Sequence, residues 1–376
     1  MRVHAHEQIF CSSRSNKSDV VGENGMISTR MLEAFAGRRC LVTGGAGSIG
    51  SQLVRDLVSL GASVTVLDNF TSGHIENLEA VLPQIKLIRG SVSSPHDLKA
   101  AFASSPHYIF HLAAHFANQN SIEHPYSDMM TNAVGTQLLL DYARKDGDLL
   151  GLVYASSSCV LGAQSGIMHE ETRPEPETPY GVSKLAGEHY VLVYAQVYAL
   201  PAAVVRYFNV FGPGERPGRY RNVIPNFMHR AIHGEALPIT GSGDECREFV
   251  YITDAVNGTM LAAITPAARG QVFHLGSGNL VPIRELGQKI VELSGYRSRL
   301  EFKPRRSWDG VSRRQTSSAK AERILGYKAE TSFDDGLSKT WAWINECELA
   351  AGCLNMEGAP LAIIKQSARF AVAAGD

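Results

Sequence analysis

A chain of 376 residues is long enough for one large domain or two modest ones, and it can bury a full apolar core. Hydrophobic residues at 44% and charged residues at 19% describe an ordinary globular protein, and the apolar runs have the length of strands, so no membrane-spanning helix is expected. Lys and Arg total 36 against 37 Asp and Glu, a formal charge of −1, which leaves no global field to draw in nucleic acid or an anionic membrane; any anionic ligand must be held by local arginines.

The first thirty-odd residues mix His, Ser, Asn and charges without the apolar core of a secretory signal, so residues 1–37 read as a flexible extension. Cys11, Cys40, Cys159, Cys246, Cys347 and Cys353 are scattered without paired metal-ligand spacing, the pattern of free thiols in a reducing compartment, and a cytoplasmic location is expected. From Arg39 onward, short runs rich in β-branched residues alternate with helical patterns. Strands are expected at Cys40 to Thr43, Ser63 to Leu67, Lys86 to Ile88, Tyr108 to Leu112, Leu152 to Ala155 and Ala203 to Tyr207. Between the first two, Leu53, Leu57 and Leu60 mark one face of a helix over Ser48 to Leu60. This alternation predicts an α/β fold, a Rossmann-type doubly wound parallel sheet.

After Tyr207 the texture changes to Gly/Pro-rich loops, such as Phe211 to Gly218 and Thr240 to Asp244, with short helices between them. Ligands of an open α/β sheet bind beyond the carboxyl ends of its strands, where added loops would form a substrate cap. The expected organisation is therefore a cofactor domain over residues 38–208, to which 250–277 return, and a smaller substrate-binding region over 209–249 and 278–345. Residues 346–376 continue no pattern and read as a C-terminal extension.

Thr43-Gly-Gly-Ala-Gly-Ser-Ile-Gly50 follows the first strand and opens the first helix of the alternation. In that context Gly44, Gly47 and Gly50 permit a tight turn, close approach of a pyrophosphate and close helix packing, while Ser48 and Ile49 begin a helix whose free N–H groups and dipole favour an anion. The second strand ends in Asp68-Asn69, eighteen residues after Gly50, where an acid accepts hydrogen bonds from ribose hydroxyls and repels a 2′-phosphate. NAD is thus favoured over NADP. An N-cap role for Asp68 is the alternative.

Tyr180-Gly-Val-Ser-Lys184 places a phenol and an ammonium one helical turn apart, downstream of Ser156-Ser157-Ser158 at the end of another strand. A tyrosine takes a proton near neutrality only if its pKa falls by about 3 units, roughly 4 kcal/mol. Lys184 and the nicotinamide of NAD⁺ are the candidate positive charges, and a serine hydroxyl can relay the proton. Without the glycine motif, a buried Tyr and a solvated Lys would be the preferred account.

Taken with His111-Leu-Ala-Ala114, Asn132, Arg206-Tyr-Phe-Asn-Val-Phe-Gly212, Arg247-Glu-Phe-Val-Tyr-Ile-Thr-Asp254 and Phe273-His-Leu-Gly-Ser-Gly278, these motifs are similar to those of the extended short-chain dehydrogenase/reductase family. The likeness spans Arg38 to Trp343 and is nearest to the UDP-sugar 4-epimerases within the epimerase/dehydratase group. It implies Tyr180 as base, Lys184 as ribose ligand and pKa-lowering cation, and Ser157 as hydroxyl partner. It extends the cofactor-lining set to Ser91, Val92, Leu112, Ala113, Ala114, Asn132, Ser156 and Tyr207. It implies a nucleoside diphosphate sugar as substrate, with Asn209, Arg247 and Arg306 at the diphosphate, Asp309 at the uridine ribose, and Ser157, Ser158, Arg216, Val223 and Arg313 around the sugar. A homodimer formed through the Tyr-Lys helix is implied as well, with Tyr190 to Val197 as its apolar stretch.

Several positions depart from the family pattern. Dehydratases carry an Asp-Glu pair just after the catalytic Ser or Thr, and decarboxylases keep a Glu at the second position; here the residues are Ser158 and Cys159. Epimerisation needs no extra acid. Ser91 stands where an Asp often lies near the adenine, and Leu161 replaces the usual Tyr before Gly162. His111 and His115 follow a strand and lack the Glu of a zinc motif, so they read as packing or cofactor-lining residues and no metal is expected. Arg313 would disfavour an N-acetyl group by bulk or select a sugar carboxylate by charge, a contact Arg216 would also supply; the alternative is that Arg313 pairs with Asp309 or joins the diphosphate site. Outside enzymes, the alternative is an NAD-sensing binding protein, against which Tyr180 and Lys184 argue; within the family, a dehydratase, decarboxylase or reductase remains the alternative.

Overall fold

Seven runs of the chain form one parallel sheet: β1 Arg39–Thr43, β2 Ser63–Asp68, β3 Ile85–Arg89, β4 Tyr108–His111, β5 Gly151–Ser157, β6 Ala202–Tyr207 and β7 Val272–Leu275. The computed structural model describes residues 29–164, 166–304 and 313–357. The spatial order is β7-β6-β5-β4-β1-β2-β3, so the chain winds outward in one direction through β2 and β3 and in the other from β4 to β7. The order reverses between β1 and β4, whose register aligns Thr43 with His111, and a crevice opens above that pair.

Both faces of the sheet are covered, which is why its strands read as continuous apolar runs. Val42, Val64, Val66 and Phe110 pack on one face with Leu53, Val54 and Leu57 of the helix Ser48–Ser59. Leu41, Leu67, Ile109 and Val204 pack on the other with Leu139, Val191 and Tyr194. Neighbours such as Leu41 and Val42 therefore fall in different cores, as the strand period of two requires.

The smaller region has its own core, in which Phe211, Ile224, Phe227, Met228, Leu286, Ile290, Leu337 and Ile344 meet. It is built on the helices Val223–Ile232, Ile283–Leu293 and Phe333–Glu357. A four-stranded sheet joins Leu280–Pro282, Cys246–Glu248, Arg313–Thr316 and Ile167–Met168. Its last strand precedes β6 in the chain, which ties the two regions together. No helix among the described residues is long and apolar enough to cross a membrane.

Two features differ from the sequence reading. Within the stretch read as an extension lies a helix Thr29–Phe35 that buries Met31 and Phe35 against the sheet, missed because a seven-residue helix carries too few residues for its period to register. At the other end, the helix from Phe333 runs past Glu346 to Glu357.

Phe35 is fully buried, with its ring centroid 4.9 Å from that of Tyr108 and 6.1 Å from that of Phe110. Phe35→Ala is expected to destabilise the fold by about 3–5 kcal/mol, the usual cost of emptying a buried phenylalanine site. Urea unfolding measures it; a loss below about 1 kcal/mol would separate this first helix from the core.

Candidate active site

A cleft of about 1790 Å³ lies above the crevice between β1 and β4. Drug-sized ligands occupy roughly 300–1,000 Å³, so it has room for a dinucleotide and a second ligand together. Its floor is lined by Gly44, Gly47, Ser48, Ile49, Gly50, Asp68, Asn69, Ser91, Val92, Leu112, Ala113 and Ala114.

The glycine loop has its shape for steric reasons. Gly44 has φ +72°, and a Cβ there would lie 2.7 Å from the Ala113 nitrogen; at Gly50 a Cβ would lie 2.1 Å from the Gly44 oxygen. Neither position accepts a side chain without moving backbone. Gly47 precedes the first turn of the helix Ser48–Ser59 and lines the cleft, where the helix start presents N–H donors to an anion. Asp68 is buried at the end of β2, where its carboxylate accepts from Ala46 N and Phe70 N, each at 2.8 Å. Burial raises its pKa against those two bonds. The acid therefore braces the loop as well as lining the cleft. These residues fit a dinucleotide whose pyrophosphate rests on the loop and whose ribose meets Asp68.

The wall beside the switch point carries Ser157, Tyr180 and Lys184. Thr178 caps the helix Pro179–Val197 by accepting from Gly181 N at 3.2 Å, and its own hydroxyl donates to Asn118 Oδ1 at 2.8 Å. Pro179 occupies the first turn, where its missing N–H costs nothing. Ser121 Oγ accepts from Tyr180 N at 3.0 Å, so the start of the helix is fixed from two sides. The phenol of Tyr180 lies beside Ser157. Burial, then Cys159, pushes that phenol up, and the neighbouring Ser157 hydroxyl opposes them.

Lys184 is 2% exposed, and its Nζ lies 4.3 Å from the centroid of the Tyr154 ring, a cation–π contact. Burial lowers its pKa to about 7 despite Glu188 and Asp128. His111 is wholly buried between Thr43 Oγ1, at 2.7 Å from Nδ1, and Thr136 Oγ1, at 2.9 Å from Nε2. Burial, and Lys184 after it, takes its pKa down to about 3, so it remains neutral and joins β1 to β4.

Other expected residues hold the site from behind. Asn132 is buried; its Oδ1 accepts from His115 N at 2.8 Å, and its Nδ2 donates to Asp128 and Ser183. Ser156 donates to Glu188, and the Tyr207 hydroxyl meets Thr259 at 2.7 Å, so both side chains face the packing although both residues line the cleft. Ser158, Asn209, Val223 and Arg247 also line the cleft. Asn209, at φ +43°, donates its amide to Glu248 O at 2.7 Å. Arg216 lines a separate, smaller cavity beside Cys347, 3.8 Å from Glu76, and is not brought to the cleft. Arg306 and Asp309 lie outside the described residues; the Arg313 backbone pairs with Cys246, one residue before Arg247.

The sequence reading missed Glu188 and its partners. Glu188 lies one turn after Lys184 on the same helix, so the spacing Tyr180, Lys184, Glu188 carried the signal. Arg206 on β6 grips its carboxylate with Nε at 2.9 Å and an Nη at 2.7 Å, and both side chains are almost fully buried. Arg206 also contacts His274 on β7 at 3.3 Å; His274 meets Thr316 Oγ1 at 2.5 Å, and Glu248 accepts from Thr316 N at 2.7 Å. One polar chain thus runs from the catalytic wall to the sheet of the smaller region.

The lowered pKa of Lys184 predicts a pH dependence of stability. A lysine that sheds its proton at about 7 when folded, against an ordinary 10.5, binds fewer protons in the native state throughout that window. Its protonation penalty is complete below about 7 and disappears as the pH approaches 10.5. The unfolding free energy of the wild type is therefore expected to rise relative to Lys184→Met between those values, by up to about 1.4 kcal/mol per pH unit. Parallel urea titrations check it, and a pH-independent difference would contradict a buried, destabilised ammonium.

The site can be set beside known proteins. Residues 40–276, well over half of the chain, match the model of the NAD dependent epimerase/dehydratase family. A UDP-glucose 4-epimerase of Mycolicibacterium smegmatis is 32% identical over 306 residues, which cover 80% of this chain and 97% of that protein. A UDP-N-acetyl-alpha-D-glucosaminuronate decarboxylase of Bacillus cytotoxicus is 31% identical over 325 residues, covering 83% and 99%. Among solved structures, an epimerase from the methanogen Methanothermobacter thermautotrophicus superposes with a TM-score of 0.81 at 39% identity, covering 86% of this chain and 96% of that one. With a crowded glycine loop after β1, an acid at the end of β2 and a tyrosine–lysine helix beside the cleft of one Rossmann-type sheet, this chain belongs to the NAD-dependent epimerase/dehydratase family.

Proposed function

We propose that the protein interconverts UDP-hexoses that differ in configuration at C4. The observation that carries this reading is the absence of an acid at the two positions after Ser157: Ser158 and Cys159 face the cleft where eliminating or decarboxylating relatives place carboxylates. The sugar class is supported by the relatives, whose names include UDP-glucose and a UDP-sugar acid. NAD, when bound, supplies a hydride acceptor, a hydride donor for the return, and a positive charge near the phenol.

The residues of this chain manage the proton and the geometry. Tyr180, as phenolate, accepts the C4 hydroxyl proton as the C4–H bond breaks with its electron pair and the carbonyl forms. Ser157, beside the same phenol, steadies the developing oxygen charge. Burial raises the phenol, so the positive charge that makes it a base at neutral pH has to come from Lys184 and the nicotinamide. The 4-keto sugar turns within the cleft, hydride returns to its other face, and the same proton goes back to the C4 oxygen. Oxidation and reduction cancel, so no cofactor is consumed. Arg247 and Asn209, which line the same cleft, provide the guanidinium and amide that a diphosphate needs.

A second reading has a specific basis. Oxidation at C4 of a UDP-uronic acid gives a β-keto acid that loses carbon dioxide, and a decarboxylase of such a sugar is 31% identical to this chain. Incubation with UDP-glucose, UDP-N-acetylglucosamine and UDP-glucuronate without added cofactor, with products assigned by NMR, separates the two. The C4 epimer is expected; a UDP-pentose or a 4-keto-6-deoxy sugar as product would replace this proposal. Tyr180→Phe should keep the fold and NAD affinity while losing about 10²–10⁴-fold in turnover. A near wild-type rate in that variant would remove Tyr180 as the base.

A further inference from the structure

His229 and His233 stand one turn apart at the end of the helix Val223–Ile232, His233 being its C-cap. That spacing puts both imidazoles on one face, and their ring centroids are 4.5 Å apart. Glu348 reaches them from the helix Phe333–Glu357, with Oε1 2.8 Å from His229 Nδ1 and Oε2 3.5 Å from His233 Nε2. One nitrogen of each ring and one carboxylate oxygen lie within 4.8 Å of one another. Donors bound to a single zinc ion at about 2.0–2.2 Å stand roughly 3.3 Å apart in a tetrahedron, so modest side-chain rotations would converge the three on one ion.

The surroundings suit an ion that enters from water. The side chains of His229 and His233 are 38% and 47% exposed, whereas that of Glu348 is 20% exposed, so the open side faces solvent and the carboxylate sits on the protein side. Two imidazoles and one carboxylate form a donor set of intermediate hardness, suited to zinc with water as fourth ligand. We propose that His229, His233 and Glu348 bind a divalent zinc ion that clamps the C-terminal helix to the cap helix. The helix so held begins at Val223, in the wall of the cleft, and ends at the clamp. The proposal is independent of the reaction proposed above.

The test titrates metal-free full-length protein with zinc chloride by calorimetry, with a chromogenic chelator as competitor. One zinc per chain is expected, with a thermal midpoint that rises with zinc concentration. Glu348→Gln and His233→Ala should each weaken binding by about tenfold or more, and the double change of His229 and His233 to Ala should abolish both binding and the thermal shift. Circular dichroism and NAD titration identify variants that fold. Failure of the wild type to take up stoichiometric zinc would overturn the proposal. So would zinc binding of undiminished affinity in the double variant, which would place the metal elsewhere.

Discussion

The buried pair between Glu188 and Arg206 is the constraint around which the wall that carries Ser157, Tyr180 and Lys184 is organised. Glu188 belongs to the same helix face as Tyr180 and Lys184, Arg206 belongs to β6, and Ser156 at the end of β5 donates to the same carboxylate. Two charges withdrawn from water repay their desolvation only in good geometry, and the two-pronged contact provides it. The result is that the helix cannot rotate or slide relative to β5 without breaking charge-assisted bonds. Ser157 and Tyr180, one on each element, are thereby held beside each other. Through His274, Thr316 and Glu248 the constraint continues to the strand that carries Arg247.

Burial, which gives the wall its rigidity, also sets its chemistry. Lys184 is pushed toward neutrality and Tyr180 away from ionisation by the same desolvation. Neither group is suited to proton transfer by itself. In the proposed reaction NAD⁺, when bound, would add positive charge beside Tyr180 and Lys184, so base strength would depend on the redox state of the cofactor. A site whose base is strongest opposite the oxidised cofactor is suited to taking a proton with the outgoing hydride and returning it with the incoming one.

Much of this was legible in the sequence because its causes are local. Alternating apolar runs locate β1 to β6, and the glycines between Thr43 and Gly50 announce a loop that the structure shows to be too crowded for any Cβ at Gly44 and Gly50. The four-residue interval from Tyr180 to Lys184 predicted a shared helix face. What escaped was non-local. The partner of Glu188 lies on another strand, and the companion of His229 and His233 lies more than a hundred residues on, in a segment where the sequence showed no continuing pattern. Arg216 was expected at the sugar because of its place after Asn209, yet the loop carries it to Glu76. The helix Thr29–Phe35 was too short to display a period, and only its two buried side chains reveal its role.

The central claim is that hydride leaves and returns to one carbon of the sugar while Tyr180 holds its proton. The most direct test supplies UDP-glucose carrying deuterium at C4 to the protein without added cofactor and follows the product by NMR. The account predicts UDP-galactose with the deuterium still at C4. Loss of the label to solvent, or its appearance at another carbon, would contradict it.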